Sequence, residues 1–329
     1  MKWWKISLAV MLVGIMVIFA ACGEKEMTKV KVGEVTRSIF YAPQYVAISN
    51  GYFEEEGLEI ELSTIPGGDK TMTALLSDGI DIALVGAETS IYVTAQGAND
   101  PIKNFAQLTQ TDGTFLVSRE KIDEFSWDML KGSTFLGQRK GGMPQMVGEF
   151  VLEKHGINPH KDLNLIQNIE FANIATAFAS GTGEFVQLFE PTASVFEKEG
   201  IGHVVASFGT ESGHVPYTVF MAKESYLKKN PEVAEKFTRA IKKAQDYVYE
   251  APAEEVAKAI QPFFEDTDIE LIAQVVERYR QQESYAKDPI LDEEEWNNLQ
   301  DIMDEAGELP MRMDYSKLVD TTFAEKVSK

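Results

Sequence analysis

A run of basic and small residues, Arg139-Lys140-Gly141-Gly142-Met143, stands between a predicted strand and a predicted helix. At the start of a helix, free backbone N–H groups and the helix dipole attract an anion or a carbonyl oxygen. The glycines let a ligand approach the backbone closely. The run is not a P-loop, because the Gly-x-x-x-x-Gly-Lys-Ser/Thr pattern is absent. We interpret it as a ligand-binding loop, with a tight turn of purely structural purpose as the alternative.

Two glutamates, Glu88 and Glu190, each follow a short predicted strand. A carboxylate in this position can accept hydrogen bonds from an amino or amide group of a heterocycle. It can equally cap the next helix, which is the alternative role for each. No nucleophile or water-activating metal site accompanies them in the sequence, so the pair favours binding over catalysis. The four histidines lack a carboxylate cluster at ligand spacing, and we predict no metal site.

A repeated alternation of strands and helices must position these loops. Residues 30–88 read as strand, helix, strand, helix and strand, and Tyr41, Tyr45 and Ile48 recur at helical spacing. Short loops between such elements are typical of a parallel sheet covered by helices on both faces. Ligands of these sheets bind beyond the carboxyl ends of the strands. This rule selects the loops 36–40, 66–70 and 86–90.

Two stretches in this region, FYAPQYVAISNGYFEEEGLEIEL (40–62) and GGDKTMTALLSDGIDIALVG (67–86), carry a recognisable pattern. They resemble the solute-binding proteins of ABC importers, in the group that takes up thiamine-pyrimidine precursors, alkanesulfonates, taurine and nitrate. The resemblance implies the type II periplasmic-binding-protein fold, an α/β fold with two lobes. Each lobe would be a mostly parallel sheet flanked by helices, and the C-terminal region would be helical.

The resemblance also implies where a ligand would lie. Pyrimidine-binding members place aromatic residues just after the first strand, where Phe40 and Tyr41 stand, with a place in the core as the alternative for both. Phe189-Glu190-Pro191 resembles the aromatic-Glu-Pro of the family. Arg37 has a guanidinium group that suits a sulfonate or carboxylate, and its alternatives are a pairing with Asp69 or a position on the surface. The candidate ligand contacts are Arg37, Phe40, Tyr41, Gly67, Gly68, Asp69, Glu88, Thr89, Arg139, Gly141, Gly142, Met143, Glu190 and Tyr217.

The length of the chain predicts two lobes, because roughly 300 mature residues exceed what one core usually holds. We assign residues 30–120 and 219–329 to lobe 1 and residues 121–218 to lobe 2. The charged segment 119–128 is the predicted first crossing between lobes, and residues 215–221 return the chain. Beyond residue 230 the pattern predicts successive helices, which we expect to pack on lobe 1.

The N-terminus resembles a bacterial lipoprotein leader. Lys2 and Lys5 precede an apolar run that is short for a membrane span, and the run ends at Ala20-Ala21-Cys22-Gly23. We predict a signal peptide over 1–21, lipidation of Cys22 and a tether over 22–29; a plain signal peptide or a signal anchor is the alternative. Cys22 is the only cysteine, which excludes an intramolecular disulfide. The expected location is the extracytoplasmic face of the cell membrane.

The formal net charge of −21 argues against nucleic acid as a partner. We expect a monomeric lipoprotein without a cofactor that captures a small solute by hinge closure. Its other partners would be the permease and ATPase subunits of an ABC importer, and the membrane through the N-terminal lipid.

The class of solute is open to two interpretations. The aromatic loop together with Glu88 and Glu190 favours a neutral or amino-substituted ring, such as a thiamine-pyrimidine precursor. Arg37, Arg139, Lys140 and the Gly-Gly pair favour an alkanesulfonate or taurine-like anion, and we prefer the ring. Two other functions are an enzyme related to fungal pyrimidine synthases and a ligand sensor for a membrane receptor. The chain departs from those synthases because it lacks their cysteine-rich signature.

Overall fold

The computed structural model describes residues 27–329, and its strands form two five-stranded mixed sheets. In the first lobe the strands are β1 (Thr28–Glu34), β2 (Leu58–Thr64), β3 (Ile82–Gly86), β4 (Ile102–Thr109) and β10 (Thr218–Lys223), in the order β2-β1-β3-β10-β4. In the second lobe they are β5 (Thr114–Ser118), β6 (Thr134–Leu136), β7 (Asn164–Ile166), β8 (Phe185–Phe189) and β9 (His203–Ser207), in the order β7-β6-β8-β5-β9.

Helices connect the strands and cover the sheets. Those up to β10 are α1 (Ala42–Ser49), α2 (Tyr52–Glu55), α3 (Gly68–Leu76), α4 (Glu88–Ala95), α5 (Met143–Lys154), α6 (Ile174–Ala179), α7 (Thr192–Glu199) and α8 (Gly209–Ser212). Those after β10 are α9 (Glu224–Lys229), α10 (Pro231–Glu250), α11 (Ala253–Ile260), α12 (Ile269–Gln281), α13 (Glu293–Glu305), α14 (Tyr315–Leu318) and α15 (Thr322–Val327). Single 3-10 turns lie at Ile39–Tyr41, Trp127–Leu130, Phe171–Asn173 and Gln261–Phe263.

The predicted α/β architecture with two lobes is confirmed. In each sheet two strand pairings are parallel and two are antiparallel, so the sheets are mixed rather than mostly parallel. The antiparallel pairs involve the strands next to the two crossings, because a chain that enters from the other lobe runs in the opposite direction. The carboxyl ends of β1, β3, β6 and β8 therefore meet at one cleft between the lobes.

The first crossing between lobes lies at residues 110–113, so the predicted boundary at residue 120 was wrong. β5 pairs with β8, Thr114 opposite Phe189, and not with β4. Segment 119–128 belongs to the second lobe, where the guanidinium of Arg119 donates to the carbonyl oxygens of Phe178, Thr182 and Gly183. The sequence of two neighbouring strands does not reveal whether they pair with each other or with strands of different sheets.

The return of the chain at residues 215–221 is confirmed, because β10 lies between β3 and β4. The C-terminal helices pack largely on the first lobe, as predicted: Phe237 of α10 contacts the rings of Phe53, Phe105 and Phe220. In addition, α12 reaches the crossing, where the Tyr279 hydroxyl donates to the carbonyl oxygen of Gly113 at 2.8 Å.

The N-terminal predictions fall mostly outside the described residues. The signal peptide, Cys22 and residues 22–26 of the tether are not covered by the structure. β1 begins at Thr28, so the last two residues of the predicted tether form part of a strand. Among residues 27–329, no helix is both long enough and apolar enough to span a bilayer.

Candidate ligand-binding cleft

A cavity of about 460 Å³ lies between the two lobes, at the carboxyl ends of the strands. The first lobe contributes the loop after β1 and the N-terminal parts of α3 and α4. The second lobe contributes the loop after β6 and the start of α5. The predicted contacts that line the cavity are Tyr41, Gly67, Gly68, Asp69, Glu88, Thr89, Arg139, Gly141, Gly142, Met143 and Tyr217.

Arg37 does not line the cavity. Its Nε donates to Oε1 of Glu34 at 2.7 Å, and its guanidinium lies over the rings of Tyr45 and Phe263. Glu34 is fully buried and also accepts hydrogen bonds from Gln44, Tyr45 and Thr64. A buried carboxylate needs such partners, and Arg37 supplies the opposite charge. Arg37 therefore anchors the loop after β1 and is not placed to receive a ligand anion.

Phe40 is fully buried and does not line the cavity either. Its ring packs against Tyr41, Tyr217 and Tyr279 at centroid distances of 5.8, 5.6 and 5.2 Å. A Cβ added to Gly113, in the first crossing, would lie 2.8 Å from the Phe40 ring. Phe40 is thus a packing residue at the junction of the lobes, and a glycine at 113 makes room for it.

Glu190 has the structural role that the sequence left open as an alternative. Its carboxylate accepts hydrogen bonds from the backbone and hydroxyl of Ser194, at 2.9 and 2.8 Å, in the first turn of α7. Arg278 of α12 forms an ion pair with the same carboxylate at 2.5 Å. Burial raises the pKa of Glu190, while Arg278 and Ser194 act in the opposite direction. Both carboxylate oxygens of Glu190 therefore have partners within the protein.

Glu88 faces the cleft from the first turn of α4 and is only 4% exposed. Its Oε1 accepts a hydrogen bond from the backbone N–H of Met143, the first residue of α5 in the other lobe, at 3.3 Å. Oε2 has no hydrogen-bond partner among the described residues. Burial raises the pKa of Glu88 to about 8, so the side chain is largely protonated at neutral pH. A Cβ on Gly86 would lie 2.1 Å from Oε2, so glycine makes room for this carboxyl.

A salt bridge joins the two lobes at the partly exposed mouth of the cavity. Arg139 of the second lobe contacts Asp69 of the first at 2.8 Å and Glu170 at 3.5 Å. The Arg139 and Asp69 side chains are 34% and 55% exposed, so the pair contributes little to stability. Arg139 is therefore neutralised by Asp69, a pairing that the sequence suggested for Arg37 instead.

Sequence reasoning missed several residues of the cavity wall: Tyr92, Gln138, Phe171 and Phe189. Phe189 stands next to Glu190 at the end of β8, and successive strand residues point to opposite faces. The aromatic-Glu-Pro motif therefore marked the right position, but the aromatic side chain and not the carboxylate faces the cavity. Gln138 lies two residues after the end of β6, in the same loop at the carboxyl end of the strand by which Arg139 was predicted.

The part of the chain that the structure describes contains no group of three or more metal-ligating side chains. The cavity instead combines aromatic walls with a few buried polar groups, among them Glu88, Gln138 and Tyr217. Burial and the neighbouring Asp112 carboxylate raise the pKa of Tyr217, so its hydroxyl is uncharged. In other proteins, pockets of this composition hold small organic molecules and fix their orientation by a few hydrogen bonds.

Comparison with curated proteins finds a protein of Bacillus subtilis (strain 168) named "Putative binding protein YtlA". It is 66% identical over 315 residues, which cover 95% of this chain and 94% of that protein. A more distant relative is the 4-amino-5-hydroxymethyl-2-methylpyrimidine phosphate synthase of Aspergillus parasiticus. It is 28% identical over 235 residues, covering 65% of this chain and 64% of that enzyme.

Among solved structures, the alkanesulfonate-binding protein SsuA from Xanthomonas axonopodis pv. citri bound to MOPS has a similar fold. The TM-score is 0.70 at 18% identity, over 90% of this chain and 99% of that one. At this low identity the similarity establishes the fold alone, which is the periplasmic-binding-protein fold. The model of the NMT1-like family matches residues 23–261, and with the high identity to the Bacillus protein it shows that this chain belongs to the NMT1-like family.

Proposed function

We propose that the protein is the solute-binding component of an ABC importer, and that its cleft captures a small amino-substituted ring. Hinge closure brings wall residues from both lobes against the solute, and the closed form is recognised by the permease. Binding is not followed by conversion of the solute. The fold and the membership of the family support binding as the activity.

The position of Glu88 is the observation that carries the choice of solute. The N-terminus of α5, where the sequence suggested an anion site, is filled by the Glu88 carboxyl through the N–H of Met143. The guanidinium of Arg139 is paired with Asp69. These two features are therefore satisfied by the protein itself, and Lys140 is the remaining cationic side chain of the loop that lines the cavity. Glu88 is largely protonated at neutral pH, so it offers a ligand a neutral hydrogen-bonding group and no positive charge that would attract an anion.

The walls of the cavity suit a flat ring. Tyr41, Tyr92, Phe171, Phe189 and Tyr217 line it. Aromatic faces bind planar rings by stacking and edge contacts, and the tyrosine hydroxyls add polar handles. The distant relative from Aspergillus parasiticus is named for an aminopyrimidine. A thiamine-pyrimidine precursor is thus the first compound to test.

Calorimetry on the protein purified without residues 1–21 tests the proposal. We expect 4-amino-5-hydroxymethyl-2-methylpyrimidine or its 5-aminomethyl or formylamino derivative to bind with one-to-one stoichiometry. Chromatography of the mixture after incubation should return the compound unchanged. Tight binding of taurine and alkanesulfonates with no heat from the pyrimidines would overturn the choice of solute, and steady conversion would overturn the binding function.

We also propose that Cys22 is acylated and holds the protein on the extracytoplasmic face of the membrane. The lipobox-like Ala20-Ala21-Cys22-Gly23 supports this, together with the single cysteine of the chain. A Cys22→Ser variant should move from the membrane fraction to the medium or periplasm, because one apolar anchor is lost. Fractionation with immunoblotting measures the shift, and Ser77→Ala is a control that should stay on the membrane. Retention of Cys22→Ser on membranes would contradict the anchor.

A further inference from the structure

Gln138 lies two residues beyond the end of β6, at the carboxyl edge of the second-lobe sheet. It is 3% exposed and lines the cavity. Ligands of α/β sheets bind at this edge. The adjacent Arg139 is bound to Asp69 at the mouth, so Gln138 is the inner polar group of the loop.

The orientation of the Gln138 amide is fixed by one hydrogen bond. Its Nε2 donates to the backbone carbonyl oxygen of Gln187 in β8 at 2.6 Å. A carbonyl oxygen only accepts, so the amide nitrogen and not the amide oxygen must face it. Oε1 is left as a buried acceptor without a partner among the described residues.

A buried acceptor without a partner is unfavourable, and a ligand that donates to it removes this penalty on binding. On the first-lobe wall, Oε2 of Glu88, which carries the proton of the neutral carboxyl, also lacks a partner among the described residues. Each lobe thus contributes at least one cavity-lining side chain with an unpartnered polar atom, and the Tyr217 hydroxyl is another such group. A ligand that pairs with both Gln138 and Glu88 would also hold the lobes together, since it bonds to each of them.

We propose that Gln138 determines specificity by accepting a hydrogen bond from an exocyclic amino group of the ligand ring. This inference rests on the proposed function and narrows it to rings whose exocyclic amino group is directed at the second lobe. An oxo ring of the same shape would set its carbonyl oxygen against Oε1. A site built around a hydrogen bond rejects the analogue that cannot make it.

The test is calorimetry with two probes, 4-amino-5-hydroxymethyl-2-methylpyrimidine and its 4-oxo analogue, on wild type and two variants. We expect the wild type to prefer the amino ring by 10-fold or more. Gln138→Met has a similar shape without the acceptor, and should reduce this preference to about 3-fold or less. Gln138→Glu, with its buried carboxyl protonated, retains both a donor toward the Gln187 carbonyl oxygen and an acceptor oxygen, and should keep the preference for the amino ring.

Gln167→Met is the matched control, because Gln167 is a half-buried second-lobe glutamine that binds Glu149 and does not line the cavity. It should keep the wild-type ratio of affinities. A Gln138→Met variant that weakens both probes equally, or leaves their ratio unchanged, would overturn the role of Gln138 while the proposed function stands. Wild-type protein that binds neither probe, nor the 5-aminomethyl and formylamino derivatives, would overturn both the role of Gln138 and the proposed choice of solute.

Discussion

The Glu88→Ala variant is expected to lose roughly 30- to 150-fold in affinity for an amino-substituted ring, or about 2–3 kcal/mol. The change removes a buried polar group of the cavity wall. It also removes the acceptor for the Met143 N–H, a hydrogen bond that joins the two lobes at 3.3 Å. Calorimetry measures the affinity, and circular dichroism should show an unchanged fold. Wild-type affinity in this variant would exclude Glu88 from the site.

Glu88→Gln is the matched control, because an amide has the shape of a protonated carboxyl. At neutral pH it should bind nearly as well as wild type. The two proteins should differ in the pH dependence of their stability. The folded state raises the pKa of Glu88 from 4.5 to about 8, so between these values the folded state holds a proton that the unfolded state has lost. The free energy of unfolding contributed by Glu88 is present below pH 4.5 and is lost as the pH rises to 8.

Urea denaturation of the ligand-free protein from pH 4.5 to 9 measures this effect. Relative to Glu88→Gln, wild type should lose up to about 1.4 kcal/mol of unfolding free energy per pH unit within that window, and no more above it. Other groups, such as Asp112, whose pKa burial raises to about 6, titrate in both proteins and cancel in the difference. Parallel curves for the two proteins would show that Glu88 is ionised and hydrated in the ligand-free state.

Phe40→Ala is expected to lower the free energy of unfolding by about 3–5 kcal/mol. The ring is fully buried and contacts Tyr41, Tyr217 and Tyr279 at the junction of the lobes. Its removal leaves a cavity that the surrounding sheet and helix cannot fill. Urea denaturation at neutral pH measures the loss, and a change below about 1 kcal/mol would show that the junction repacks.

Phe171→Ala provides the opposite case. Phe171 is half-buried and lines the cavity, and its ring centroid lies 6.1 Å from that of Phe189. We expect its stability loss to stay near or below about 1 kcal/mol. Affinity for an aromatic solute should fall by about 5- to 30-fold, or 1–2 kcal/mol, because one wall of the ring site is lost. Equal effects of the two substitutions on stability would contradict the separate roles of these phenylalanines.

Local pattern was sufficient to predict the elements of the first lobe and the long C-terminal helices. Alternation in β2, a glycine at 51 after α1 and Asn230 before Pro231 each act within a few residues. The first crossing was misplaced because strand pairing is a long-range property. The sequence of residues 105–118 alone does not determine that β5 pairs with β8 and β9.

The same limit applies to the site. Position at the carboxyl ends of strands located Glu88 and the Arg139–Met143 loop correctly at the cavity. Position along the strands does not reveal which polar side chains already have hydrogen-bond or ion-pair partners within the protein. Arg37 has Glu34 as a partner and Glu190 has Arg278, and both partnerships depend on side-chain directions and on distant elements. Gln138 was not predicted because the sequence does not show that it is buried at the cavity while the neighbouring Arg139 lies at the partly exposed mouth.

The placement of β10 between β3 and β4 has a consequence for assembly of the chain. The second-lobe sheet is built from one uninterrupted segment, whereas the first-lobe sheet needs a strand made more than a hundred residues after β4 begins. Until Thr218–Lys223 has been synthesised, β3 has an open edge, and β4 lacks the partner that joins it to the sheet. The sheet of the second lobe can therefore fold first. Insertion of β10 then completes the sheet of the first lobe and places the two walls of the cleft opposite each other.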